Sequence, residues 1–152
     1  MPSKIKWSLL NSGVVLLHSD STAPTLKGLA NNASVLSAEH DNAANGEQLA
    51  EFEVLARCAS APTGAPYLEV FVIEAVDGAA FEDGDAATRP ARPASFVVPL
   101  RTVNTQQRVA VSAVPIPPTK FKLLVVNKAG QDLSAVDGEN GLSMRTYSPE
   151  AQ

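Results

Sequence analysis

Residues 48–58 read Gln48-Leu49-Ala50-Glu51-Phe52-Glu53-Val54-Leu55-Ala56-Arg57-Cys58. In an extended chain Ala50, Phe52, Val54, Ala56 and Cys58 fall on one side, and Glu51, Glu53 and Arg57 fall on the other, with Leu55 breaking the polar row. Successive strand side chains point to opposite faces, so this period of two predicts a strand with one face on a core and one toward water.

The flanks punctuate that strand and repeat it. Pro62, Gly64 and Pro66 mark a turn across 59–66. Residues 67–75 follow with Tyr67, Val70, Phe71, Val72 and Ile73, a β-rich run whose two faces both read as at least partly covered. Toward the N-terminus, Ile5, Trp7 and Leu9 alternate with Lys6 and Ser8, 13–17 is a short apolar run, and 25–29 could add a short extended piece. Residues 30–46, rich in Asn, Ala and Ser, read as an irregular excursion.

Toward the C-terminus, 76–94 turns acidic and then Pro/Arg-rich, which predicts a long exposed loop. Strands are expected over 95–103, 107–114, 120–127 and 141–147, with Pro99 at an edge or bulge because it has no N–H for a ladder. No window carries the 3.6-residue spacing of a stable helix. The expectation is an all-β chain of about eight short strands, a single β-sandwich domain over 1–152 with jelly-roll wiring, and an N-terminal segment, about 1–24, acting as a contact arm. Periodicity alone does not separate a jelly roll from an immunoglobulin-like Greek key.

Composition agrees with that reading. The chain has 152 residues, 45% of them hydrophobic and only 18% charged, with 11 prolines and 9 glycines, which suits many turns and few solvated helices. No apolar run is long enough to span a bilayer, so no membrane partner is expected. A formal net charge of −4 argues against a phosphate-backbone binder, so no nucleic acid is expected either. The lone Cys58 has no second cysteine in the chain for a disulfide and reads as a small core side chain. Lys4 and Lys6 ahead of apolar residues resemble a signal peptide, but Asn11, Ser12 and Gly13 interrupt the run, and secretion is not expected.

Little in the sequence nominates a reaction. His18 and His40 are the only histidines, too few for a multi-histidine metal site. Glu39-His40-Asp41 places its candidate ligands on adjacent residues that point different ways, and Asp77, Glu82, Asp83 and Asp85 do not match a twelve-residue calcium loop. Glu51, Glu53, Glu69 and Glu74 could pair as in a glycosidase, but the charged outer faces of a sandwich account for them more simply. Cys58 lacks a sequence-near base, and neither a phosphate loop nor a G-x-S-x-G elbow occurs. The expectation is a binding protein rather than an enzyme, with no cofactor and no metal. Trp7 reads equally well as a core plug or as an anchor for a neighbour.

Several stretches carry a family likeness: Leu29-Ala30-Asn31-Asn32-Ala33, Asp41-Asn42, Glu51-Phe52-Glu53 and Tyr67-Leu68-Glu69-Val70 in the first half. In the second half they are Phe96-Val97-Val98-Pro99-Leu100-Arg101, Gln107-Arg108-Val109-Ala110, Ile116-Pro117-Pro118-Thr119-Lys120-Phe121-Lys122 and Val126-Asn127-Lys128-Ala129-Gly130-Gln131. From about Thr25 to Tyr147 the chain resembles small virion structural proteins of tailed bacteriophages, of the capsid decoration or cement type. The resemblance implies a sandwich or jelly roll on the capsid surface of the virion, made in the host bacterial cytoplasm. It also implies the major capsid protein as partner and a homo-oligomer, a dimer or trimer.

The contact candidates drawn from the N-terminal segment, the 30–46 excursion and the acidic loop are Trp7, Asn31, Asn32, His40, Asp41, Asp83, Asp85, Arg89 and Arg92. Two other binding roles stay open. A virion carbohydrate-binding or host-adhesion module would show an exposed aromatic platform near Tyr67 or Trp7. A tail or connector component would be present at low copy number.

Overall fold

The computed structural model describes residues 5–7 and 13–151. Its strands are β1 (Ile5–Trp7), β2 (Val14–Leu17), β3 (Ser34–Leu36), β4 (His40–Asp41), β5 (Leu49–Ala56) and β6 (Tyr67–Ala75). They continue as β7 (Phe96–Pro99), β8 (Gln107–Pro115), β9 (Lys120–Lys128), β10 (Gly141–Tyr147) and β11 (Pro149–Ala151). All ladders between them are antiparallel.

The pairings nest. β6 pairs β7, β5 pairs β8, β3 and β4 pair β9, β2 pairs β10, and β1 pairs β11. The chain is therefore one antiparallel ribbon doubled on itself. Two further ladders, β5–β10 and β6–β9, roll the ribbon into sheets of order β2-β10-β5-β8 and β3-β9-β6-β7. That nesting is the wiring of a jelly roll, and it decides between the two topologies that periodicity leaves open.

The core lies between the sheets. In β5 the alternation holds residue by residue, with Ala50, Phe52, Val54 and Ala56 buried and Glu51, Glu53 and Leu55 only partly so. Phe52 stacks on Phe96 of the opposite sheet with ring centroids 5.0 Å apart. Val14–Leu17, within the expected arm of about 1–24, is itself a sandwich strand with Leu16 and Leu17 buried, and residues 1–4 and 8–12 of that arm lie outside the described residues.

β6 and β9 are covered on both faces. Phe71, Ile73, Leu124 and Val126 form a second buried cluster on the outside of the five-stranded sheet, with Leu36, Phe81 and Ala94 packed against it. Burial on both sides explains the unbroken run Leu123-Leu124-Val125-Val126.

The cover corrects the expectation for 76–94, which is not an exposed excursion throughout. β7 reaches only as far as Val70 on β6, and the segment caps the edge beyond it. Arg92 grips both carboxylate oxygens of Glu82, at 2.7 and 2.8 Å, and donates to the Val72 carbonyl at 2.7 Å. The Val72 N–H donates to Ser95 Oγ at 3.0 Å, and the Glu82 N–H to the Glu74 carbonyl at 2.9 Å. Gly84 is required for the close fit, since a Cβ there would meet Pro90 Cγ at 2.9 Å and Ile73 Cδ1 at 3.0 Å.

Arg92→Ala should therefore speed amide exchange across 76–94 and lower stability by about 1–2 kcal/mol, the scale of a half-exposed charge-assisted clamp. Arg92 holds the Glu82 carboxyl below its ordinary range. The clamp's contribution is thus complete above the ordinary carboxylate value and is lost as pH falls through the lowered one. Hydrogen exchange of wild type and variant across acidic pH reads both effects; exchange in 76–94 that ignores the substitution would refute the clamp.

Two shorter segments also differ from expectation. Residues 30–46 contain β3 and β4, whose three and two residues are too short to display a period of two. Residues 25–29 form no strand: they contribute a bridge from Thr25 to His18, the buried Leu26, and backbone hydrogen bonds between Gly28 and Ser134 and between Leu29 and Leu133.

Candidate functional site

The two sheets differ in what lies outside them. Segment 76–94 packs against the outer face of the five-stranded sheet, whereas the outer face of the four-stranded sheet carries a cleft of about 360 Å³. Strand order creates that cleft. β10 lies between β2 and β5, and its Ser143 and Arg145 line the cleft beside Glu51 and Glu53 of β5, while a smaller hollow of about 130 Å³ next to it, sharing Ser143 and Glu53, is lined by Gly141, Val15 and Leu55. Gly13, Ala110 and Met144 complete the lining of the larger cleft.

Charge on this face is mixed and partly paired. Arg108 Nη1 donates to Glu53 Oε1 at 2.8 Å, and Ser112 Oγ donates to Glu51 Oε1 at 3.2 Å. Arg145 takes part in none of the ion pairs among the described residues, and Val15 is 53% exposed. An arginine, two carboxylates, hydroxyls and an apolar rim can hydrogen-bond and ion-pair with a polar surface. Glu69 and Glu74 stand on β6 in the other sheet, so the four candidate glutamates are not gathered on one face. Among the described residues no group of three or more His, Cys, Asp or Glu is placed to hold a metal ion.

The contact candidates separate into groups. Asn31, Asn32 and Arg89 come together: Arg89 Nη2 donates to the Asn32 carbonyl at 2.9 Å, and its guanidinium lies 3.8 Å from Glu69. Asn32 adopts a left-handed φ of 63° and accepts from Lys128 Nζ at 3.0 Å. His40 and Asp41 sit at the other end of β9, opposite Phe121 and Lys120. The His40 ring meets Phe121 edge-on at 5.2 Å, and burial pushes its pKa down. Asp41 accepts from the Ala43 N–H at 2.9 Å.

Asp85 accepts from the N–H groups of Ala87 and Thr88, both at 2.7 Å, and Asp83 is exposed beside it. Arg92 faces inward on Glu82 and Val72. Trp7 lies in β1 opposite Pro149, and its side chain lies outside the described residues. Tyr67 is half-buried. Cys58 is buried, burial raises its thiol pKa, and its backbone bridges to Leu133.

Stretches far apart in the sequence meet in pairs through buried asparagines. Asn127 Nδ2 donates to the carbonyls of Leu29 and Gln131 at 3.0 and 2.9 Å, and its Oδ1 accepts from the Ala129 N–H at 2.9 Å. The Asn31 N–H reaches Asp132 at 2.7 Å, and Gly130 donates to Asn31 Oδ1 at 3.1 Å. Asn42 joins the next pair, donating to the carbonyls of Glu47 and Pro117, both at 2.7 Å. The Asn-Asn and Asn-Lys-x-Gly stretches thus form one unit, and the Asp-Asn and Pro-Pro stretches another.

Sequence reading missed the cleft and Arg145. Its signal was present in Glu51 and Glu53, but Ser143 and Arg145 come from a strand that only the topology sets beside them.

No protein-family profile matches the sequence. No curated protein matches it. Among solved structures, a family 35 carbohydrate-binding module from an environmental isolate is similar, with 15% identity, 100% of this chain and 99% of that chain covered, and a TM-score of 0.37.

Proposed function

We propose that this protein is a capsid decoration protein of a tailed bacteriophage, binding the outside of the head shell and stabilising it by bridging major capsid proteins. The observation that carries the reading is the convergence of the phage-like stretches on shared structural ties, Asn127 joining one pair and Asn42 another. Kinship expressed in fold-making residues fits a protein whose task is to hold a shape against a surface. The open four-stranded face, with mixed charge and a shallow cleft, supplies area for such contact. Weak contacts repeated by shell symmetry stabilise an assembly by mass action and multivalency.

The test compares capsids with and without the protein under heating and osmotic shock. Decorated particles should retain their DNA to a higher temperature, and copy number should be comparable to that of the major capsid protein. Unchanged particle stability together with no protein on the shell would overturn the reading, and copies confined to a single vertex would assign it to the connector or tail instead.

A further inference from the structure

We propose that the outer edge of β8 is the surface on which two copies of this chain associate, pairing antiparallel so that two four-stranded sheets become one. The inference goes beyond the decoration reading and does not rest on it. An edge strand offers unpaired N–H and C=O groups, and sheet proteins blunt such edges with short strands, prolines, bulges or covering segments.

Three of the four sandwich edges are blunted in this way. β2 has four residues, and β3 and β4 have three and two, interrupted at 37–39. β7 has four and ends at Pro99, and beyond it Arg92 and Ser95 cap β6. β8 is different: it has nine residues, is paired among the described residues with β5 alone, and carries Arg108 as its one charge. Its irregularity opposite Glu51, where Ala113 takes a φ of 58°, and its terminal Pro115 disturb only the far end. Residues 107–111 are regular, and no described strand pairs with their outer edge.

The side chains of that stretch complement themselves. Val109 and Val111 pack against the core yet stay half-buried, because the sheet stops at β8. Antiparallel pairing about Ala110 sets Val109 against the partner's Val111, so that each sheet completes the other's cover. On the outer face Ala110 opposes the partner's Ala110, which adds no bulk, and Arg108 opposes the partner's Ser112. Ser112 is hydrogen-bonded to Glu51 at 3.2 Å, so Arg108 arrives beside a carboxylate of the second copy. Such a contact is self-complementary and closes at two copies.

Sedimentation of the full chain at micromolar concentration should show a dimer. Directly opposed strand residues have Cα atoms about 4.5–5.5 Å apart, within disulfide range, so Ala110→Cys should oxidise to a covalent dimer that sediments like wild type. Arg108→Glu should raise the dissociation constant about tenfold, and Arg108→Glu with Ser112→Arg should restore it. Those two positions lie about 13 Å apart within one strand and meet only across the interface. Both are exposed, so the variants keep the fold, as circular dichroism would verify. A monomeric or trimeric wild type, a dimer that Ala110→Cys does not cross-link, or a double variant no tighter than Arg108→Glu would each overturn the proposal.

Discussion

Asn127→Ala is expected to lower the unfolding free energy by about 3–5 kcal/mol, read from the midpoint of urea denaturation at unchanged slope. Asn127 is fully buried, and its side chain serves two carbonyls and one N–H. A buried polar group left without a partner costs about 1–3 kcal/mol, and alanine strands the Gln131 carbonyl and the Ala129 N–H at once, while the Leu29 carbonyl keeps the Leu133 N–H but loses its second donor. Asn127→Asp should fare no better, because a buried carboxylate would face the Leu29 and Gln131 carbonyls that now accept hydrogen bonds. Asn31→Ala, at the exposed end of the same unit, should cost less than about 1 kcal/mol. Equal losses at the two positions would mean that Asn127 is not the hub.

That asparagine also marks where sequence reading ends. The alternation in 48–58 describes a strand through its own neighbours, so β5 was legible, as were 67–75 and 141–147, whose expected bounds match β6 and β10. Pro99 announced an edge because its missing N–H excludes it from a central ladder. Nothing local tells Asn127 that its partner Leu29 lies 98 residues away. Phe81 and Ala94 stand among acidic, proline-rich neighbours, and only the doubly covered β9 shows why a loop should carry them. The cleft was half legible for the same reason: its two carboxylates lie on one strand, while Ser143 and Arg145 reach it only because β10 is laid beside that strand.

Phe52→Ala should match Asn127→Ala in size by a different route, costing about 3–5 kcal/mol through lost contact and the cavity left behind. Phe52 projects from the middle of β5, opposite Met144 on one side and Val111 on the other, and stacks on Phe96 across the sandwich. Phe52 is fully buried in a strand paired on both sides, so the close-packed surroundings should recover little of the loss by relaxing. The adjacent Glu53 is the control, because a strand turns successive residues to opposite faces. Glu53→Ala removes only its exposed pairing with Arg108 and should change stability by less than about 1 kcal/mol. The contrast between neighbours one residue apart tests the period of two directly: denaturation midpoints that shift alike for Phe52→Ala and Glu53→Ala would mean that β5 does not separate a core face from an open one. If the contrast holds, the face bearing Glu51, Glu53 and Arg145 is free of structural duty, and substitutions there can test binding without disturbing the sandwich beneath.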